Sequence, residues 1–242
     1  MLLSLRLYFY CSLTAGKSDM EKLSKLTWWK WLTMGILVYV IIGAFLFDVP
    51  RLPILNEGIR NLHFHVPMWF GMTLMFLTSV IYAIKYLRTN DLKYDVYSSE
   101  LATVGLFFGV IGITTGMVWA RFTWGEFWSS DPQQNASAIG LLLYFALFIL
   151  RGSVQDDQQK ARLGAVFNIF AFSILVPLLF ILPRLTSSLH PSSGGNPGFN
   201  SYDLDSKLRL VFYPAVIGWT FLGFWIASLR IRLTNLSLHE QV

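Results

Sequence analysis

Four histidines are the residues of this chain best suited to holding a metal: His63, His65, His190 and His239. His63 and His65 stand two apart in "HFHVP", and His190 sits in "SSLHPSSGGNPGFN", a run rich in Pro, Gly and Ser. On a helix a two-residue step turns side chains about 200° apart, so these two do not approach one ligand alike. His65 precedes Val66 and Pro67, and proline is favoured in the first turn of a helix, where its missing N–H would have no partner. The sequence therefore predicts His65 at the mouth of a helix, with a fixed backbone. If the segment of His190 folds back, the two imidazoles could face each other across a planar ligand, and neutral imidazole is a good ligand for haem iron. The plainer alternative is a set of interfacial and loop histidines that meet nothing. Zinc would want a third or fourth protein ligand, for which His63, Glu57, Glu126 and Asp131 are available. The single cysteine, Cys11, excludes an internal disulfide, a cysteine zinc site and the C-x-x-C-H haem attachment motif. Any haem is therefore held non-covalently.

The stretch "ARFTWGEFWSSDPQQN", residues 120–135, sets Trp124 and Trp128 four apart with Asp131 three further on. On a continuous helix all three would project from one face, two flat indoles in a row ending on a carboxylate. Trp119, one turn earlier, would extend that surface towards the bilayer. Such a stripe suits the edge or face of a porphyrin. Tryptophan also gathers at membrane interfaces for its own amphipathic reasons, so ligand contact and an aromatic belt both stand for Trp124 and Trp128, while Trp28, Trp29, Trp31 and Trp225 read as belt. Asp131, followed by Pro132 and Gln134, has the pattern of a helix start, with Asp as N-cap, Pro at the first position and Gln at the third. Capping is the first expectation for Asp131, and it is compatible with positioning a site.

What must position these residues is a membrane bundle. Of the 242 residues 54% are hydrophobic and 14% charged, against about 25% charged in soluble domains. Six stretches are long and apolar enough to cross a hydrocarbon core of about 30 Å: Trp28 to Phe47, Val66 to Leu87, Leu101 to Ala120, Ala136 to Leu150, Gly164 to Leu182 and Leu208 to Leu229. The predicted fold class is all-α, a polytopic membrane protein with a bundle of six transmembrane helices. Lys and Arg stay preferentially on the cytoplasmic side; with both termini cytoplasmic, thirteen of the 19 fall inside and six outside. His63, His65, His190 and the tryptophan segment then face outward. The domains read as a cytoplasmic segment 1–27, a six-span domain 28–229 and a cytoplasmic tail 230–242. Residues 1–19 fit this scheme poorly, since "LYFYCSL" is too short to span and lacks a signal-peptide cleavage site; Met20, before "EKLSKLTWWKW", is an alternative start. The net charge of +5 is spread over short loops rather than gathered in one patch, which argues against nucleic acid. The chain has no phosphate-cradling glycine loop and no internal repeat.

These residues resemble the CcmC-type haem-handling proteins of cytochrome c maturation, the haem exporter protein C family within the CcmC, CcmF and CcsA superfamily. The resemblance covers about Trp28 to Leu229 and rests on the six spans, "HFHVP", "WGEFWSSDPQ" and the "LH" of the last outer loop. The family segment runs approximately W-G-x-x-W-x-W-D-x-R. Trp124, Gly125, Trp128 and Asp131 match it; Ser130 stands where a third tryptophan is usual and Gln133 where an arginine is usual, and the Asp-Pro step is closer to the CcmF and CcsA branches. The resemblance implies that haem b, held non-covalently and transiently, binds on the periplasmic face of a bacterial inner membrane. His65 and His190 become its axial ligands, and Trp119, Trp124, Gly125, Trp128 and Asp131 the segment that presents it. It further implies a periplasmic haem chaperone of the CcmE type, ABC transporter subunits of the CcmA and CcmB type and a small CcmD-type subunit as partners. By charge, Arg60, Arg121 and Arg184 are the candidates to meet the haem propionates.

Two other functions compete. A transporter would carry ionisable or polar groups deep in its spans, where each is costly; the chain offers Asn168, Thr114, Thr115 and the kink points Pro177 and Pro214, which read more simply as interhelical packing and hydrogen bonding. A b-type bis-histidine electron carrier would hold haem between histidines on packed spans, whereas His190 lies in a Gly-rich loop. No residues have the pattern of a general acid and base pair or an activated nucleophile, so the chain reads as a binding protein and not an enzyme.

Overall fold

The structure, a computed structural model, describes residues 17–50, 55–190 and 204–239, and side chains within 27–237 of these. In chain order the helices are α1 (Lys17–Leu46), α2 (Leu62–Thr89), α3 (Leu92–Trp124), α4 (Pro132–Gly152), α5 (Asp157–Val176), the short α6 (Leu182–Leu185) and α7 (Ser206–His239). A 3-10 turn, Asn56–Asn61, leads into α2, and a π-helical turn, Pro177–Ile181, joins α5 to α6. Among the described residues there is no strand, and six helical stretches are long and apolar enough to cross a membrane. The all-α, six-span expectation holds. Of the questionable first nineteen residues, 1–16 lie outside the described residues, as does the glycine-rich run 191–203.

Helices follow because the hydrocarbon core offers backbone groups no partner, so each segment must satisfy its own. Polar residues mark where they stop. Asp91, Asp131 and Asp156 cap α3, α4 and α5, accepting from the backbone N–H groups of Lys93, Gln133 and Gln159. Asn90 (φ 56°) and Gly125 (φ 89°) take the left-handed conformation that closes α2 and α3. Of two prolines that shape the spans, Pro67 departs from its expected first-turn position and Pro177 breaks the helix at an expected kink point. α2 starts at Leu62, so Pro67 lies inside the helix and not in its first turn; the preceding 3-10 turn already winds the chain, and Pro67 simply leaves the His63 carbonyl without its helical donor. At Pro177, whose ring likewise removes a donor, the fifth span widens into the π turn.

The centre of the bundle is the antiparallel pair α2 and α3. Side chains at positions 65, 69, 72 and 76 of α2 lie along one face, since they recur every three or four residues. They meet glycines of α3 in register: Phe76 lies on Gly105, Met72 on Gly109, Trp69 on Gly112 and His65 on Gly116. A Cβ at these glycines would stand 2.7, 2.8, 3.0 and 2.7 Å from those side chains, so the backbones approach closely because α3 has no side chains there. α4, α5 and α7 close around this pair through Tyr144, Leu175 and Ala227, while α1 packs against α7, where Val211 and Ile36 fill the space beside Gly43 and Gly218.

The end of the bundle far from His65 is pinned by charge. Arg151 of α4 donates two hydrogen bonds to Asp95 of α3, at 2.7 and 2.8 Å, and Arg230 of α7 meets Glu100 of α3 at 2.6 Å. At the level of Asp95 and Glu100 on α3, Asn168 of α5 donates to Ser98, and also to Ser79 of α2. These polar groups tie helices to one another, as expected for Asn168.

Candidate functional site

His65 is the fourth residue of α2, and its ring lies in the groove that Gly112 and Gly116 leave in α3. Nδ1 is 2.9 Å from the Gly112 carbonyl and 3.2 Å from the Thr115 hydroxyl. The carbonyl only accepts, and the Thr115 hydroxyl donates back along its own helix to Ile111, so Nδ1 carries the proton. Nε2 is left with its lone pair and, among the described residues, no hydrogen-bond partner. Trp119 and Trp69 stand edge-on to the ring at 5.7 and 6.2 Å, and Asn61, just before α2, donates to the Thr115 carbonyl and fixes the start of α2 on α3. His63 is different. It is 1% exposed, and its Nδ1 is buried with no partner, so the structure separates the two histidines as their spacing requires.

His190 is held by Asp131. Asp131 Oδ1 lies 3.0 Å from His190 Nδ1, and the same carboxylate accepts from the Leu189 N–H at 2.8 Å and from the Ser188 hydroxyl. It also caps α4 through the Gln133 and Gln134 N–H groups. Burial works against the charged form of Asp131. The bonds from Leu189 and Ser188, the nearby His190 and the bond from Gln133 outweigh it and hold the carboxyl below its ordinary range. Burial likewise pulls the His190 imidazole below its ordinary value, and the Asp131 charge offsets this only in part. At neutral pH the pair is therefore a neutral imidazole donating from Nδ1 to a carboxylate, and among the described residues His190 Nε2 has no partner.

The two rings share one end of the bundle. Trp124, the last residue of α3, is edge-on to His190 at 5.0 Å, while Trp119 is edge-on to His65; the two indoles stand on the same helix about 7.5 Å apart along its axis.

The single-face arrangement of Trp124, Trp128 and Asp131 is overturned. Gly125 ends α3, and residues 125–131 cross to α4 without helix, so the four-and-three spacing has no geometric meaning. Trp128 donates from Nε1 to Asn135 at 3.1 Å, and Gln134 accepts from the N–H and hydroxyl of Ser129, so the first turn of α4 holds the crossing in place. Ser130 takes φ 57°, a conformation costly for a bulky side chain, and the backbone at this departure from the family segment suits a small polar residue. Gln133 uses its N–H to bond Asp131, and its Oε1 is buried without a partner. Trp119 packs against the buried cluster that includes Ile59, Leu62 and Phe212, and stands edge-on to His65. The zinc alternative has no support in geometry, since the described residues hold no group of three or more His, Cys, Asp or Glu able to share an ion.

Of the arginines, Arg60 bonds the Ala44 and Phe47 carbonyls at the end of α1 and pairs with Glu57. Arg121 donates to the Gly125 carbonyl. Arg184 is exposed and has no partner among the described residues. Sequence reasoning missed Trp69, Gly112, Gly116 and Ser188. The i, i+4 step from His65 to Trp69 and the G-x-x-x-G of "GITTG" were the signals available.

Fold and site together define a multi-pass α-helical membrane protein with two imidazoles at one end, each edge-on to a tryptophan and with Nε2 unpartnered among the described residues. The family described as Heme exporter protein C matches residues 10–241, and the chain belongs to that family. It is 25% identical over 174 residues to the Heme exporter protein C of Bradyrhizobium diazoefficiens, covering 71% of this chain and 65% of that protein. It is 24% identical over 164 residues to a putative cytochrome c biosynthesis ccmC-like mitochondrial protein of Marchantia polymorpha, covering 67% of each. Similarity to the cytochrome c biogenesis protein CcsA of Pelargonium hortorum is more local, 35% over 89 residues, 36% of this chain and 28% of that protein. The chain thus spans just under two thirds of the bacterial relative.

Proposed function

We propose that the protein takes part in cytochrome c maturation by holding haem, its cargo, between His65 and His190 and presenting it for handover. One observation carries this reading: both histidines have Nδ1 bonded to an acceptor, a carbonyl for one and a carboxylate for the other, and neither Nε2 has a partner among the described residues. That arrangement sets the tautomer and strengthens the ligand in metal-binding histidines. Trp119 and Trp124 supply apolar edges beside the two rings, and Arg184, exposed and unpartnered among the described residues, is the arginine best placed to meet a propionate. Under this reading both termini are cytoplasmic, the site opens to the periplasm, and the receiver is a CcmE-type chaperone, with CcmA, CcmB and CcmD-type subunits completing the assembly.

The two histidines are held differently. His65 is built into a packed helix pair, whereas His190 follows a four-residue helix and is held chiefly by one carboxylate. Such asymmetry suits release of cargo better than permanent electron carriage. The test is to purify the protein from cells making ample haem and record its visible spectrum. A low-spin bis-imidazole spectrum is expected, lost in His65→Ala and His190→Ala and kept in His63→Ala. A wild type without haem absorption, or a spectrum indifferent to the first two changes, overturns the proposal. Co-purification of a haem-loaded chaperone separates handover from electron carriage.

A further inference from the structure

We propose that Gly116 is a positioning residue for the His65 imidazole, which makes one rung of the α2–α3 glycine ladder part of the ligand machinery. The inference rests on the haem reading above. A Cβ at position 116 would stand 2.7 Å from His65 Cε1, 3.3 Å from Nδ1 and 3.5 Å from Nε2. Cε1 joins the two nitrogens, so a methyl there pushes on the part of the ring that carries both. The ring cannot swing aside freely, because Nδ1 is held 2.9 Å from the Gly112 carbonyl one turn back on the same helix and Trp69 and Trp119 stand edge-on to it. Any side chain at 116 must therefore lengthen the Nδ1 bond, tilt Nε2, or both. The seat has a steric half, Gly116, and an electronic half, the Gly112 carbonyl with the Thr115 hydroxyl.

The same helix pair supplies a matched comparison. At Gly105 an added Cβ would also stand 2.7 Å from an aromatic ring of α2, that of Phe76. Gly105→Ala therefore imposes a packing insult at least as large on the same interface, three turns away from the histidine. A merely structural role for Gly116 predicts that the two variants behave alike.

The experiment compares wild type, Gly116→Ala, Gly105→Ala and Thr115→Val for haem retained per protein, spin state, and recovery of the spectrum on adding free imidazole. Gly116→Ala is expected to lose the low-spin bis-imidazole bands and retain haem about tenfold less well, the usual scale for disturbing a ligand's support. Added imidazole should restore the low-spin bands, since it can occupy the coordination position that the displaced ring leaves. Gly105→Ala should keep the wild-type spectrum whatever its thermal stability. If Gly116→Ala does not fold, His65→Gly with Gly116→Ala removes the colliding ring; recovery of folding locates the conflict at the imidazole, and failure to recover overturns the proposal. A wild-type spectrum and retention in Gly116→Ala, or an equal loss in Gly105→Ala, refutes the seat while leaving the haem reading intact. Absence of haem in the wild type refutes both.

Discussion

Replacing Asp131 separates two roles that one carboxylate combines. Its side chain is 1% exposed and accepts from Gln133, Gln134, Ser188, Leu189 and His190. Loss of an N-cap costs about 1 kcal/mol, and each hydrogen bond to a charged acceptor is worth about 1.5–3 kcal/mol net. Because these bonds share one acceptor they are not additive, and Asp131→Ala is expected to destabilise by roughly 4 kcal/mol, at the upper end for a single substitution. Asp131→Asn is the informative variant. Asparagine caps helices as well as aspartate, so α4 keeps its start. With the oxygen kept where it caps α4 and accepts from His190, its amide nitrogen takes the place of Oδ2 and faces the Leu189 N–H, which also donates, and so displaces the segment that carries His190; the unpaired donor costs about 1–3 kcal/mol. Thermal unfolding in detergent with and without haem reads both effects. The expected result is a modest loss of stability in haem-free Asp131→Asn and a clear loss of haem retention. The reasoning fails if Asp131→Asn matches wild type in both measures, or if Asp131→Ala costs no more than an ordinary cap.

Arg151→Ala leaves Asp95 buried and unpaired, since the two side chains are 14% and 12% exposed; a loss of about 3–5 kcal/mol is expected, and adding Asp95→Ala should return part of it in thermal unfolding. Gly125→Ala forces φ 89° on a residue with a Cβ, at a cost of about 1–2 kcal/mol, and should shift the tryptophan emission of Trp124 and Trp128. Acidification should loosen the His190 segment in haem-free protein. The unfolded segment protonates His190 near its ordinary 6.5, before the folded form does, so stability present at neutral pH falls as pH drops below that value, and the depressed Asp131 carboxyl adds a further loss at still lower pH. Partial proteolysis across this range checks the sign: cleavage near residue 190 that does not increase on acidification contradicts it. Arg184→Gln should weaken haem retention while leaving the low-spin spectrum in place, whereas Arg60→Gln should lower thermal stability because it frees the end of α1.

Much of this protein is written in local sequence. The six apolar stretches oblige helices wherever backbone groups meet hydrocarbon, and Asp91, Asp131 and Asp156 cap the three that follow them, because capping needs only neighbours within a turn. His65 and His190 stood out from residue type alone, and the separation of His63 from His65 followed from helical pitch. The matching of Trp124, Gly125, Trp128 and Asp131 to a family segment singled them out without giving their geometry. There the helical spacing misled, since one left-handed glycine between Trp124 and Trp128 breaks the periodicity on which the argument stood.

What only the tertiary structure decided are contacts between segments far apart in the chain. That Asp131 holds His190 across 59 residues, that Trp119 belongs to His65 while Trp124 belongs to His190, and that Arg60 is spent on the end of α1 all depend on how the helices pack. The glycines of α3 show the division most plainly. Their spacing is visible in the sequence, but a glycine has no side chain to declare a partner. That Gly116 receives an imidazole and Gly105 a phenyl ring is fixed by the antiparallel register of α2 against α3, a property of the pair that neither helix carries alone.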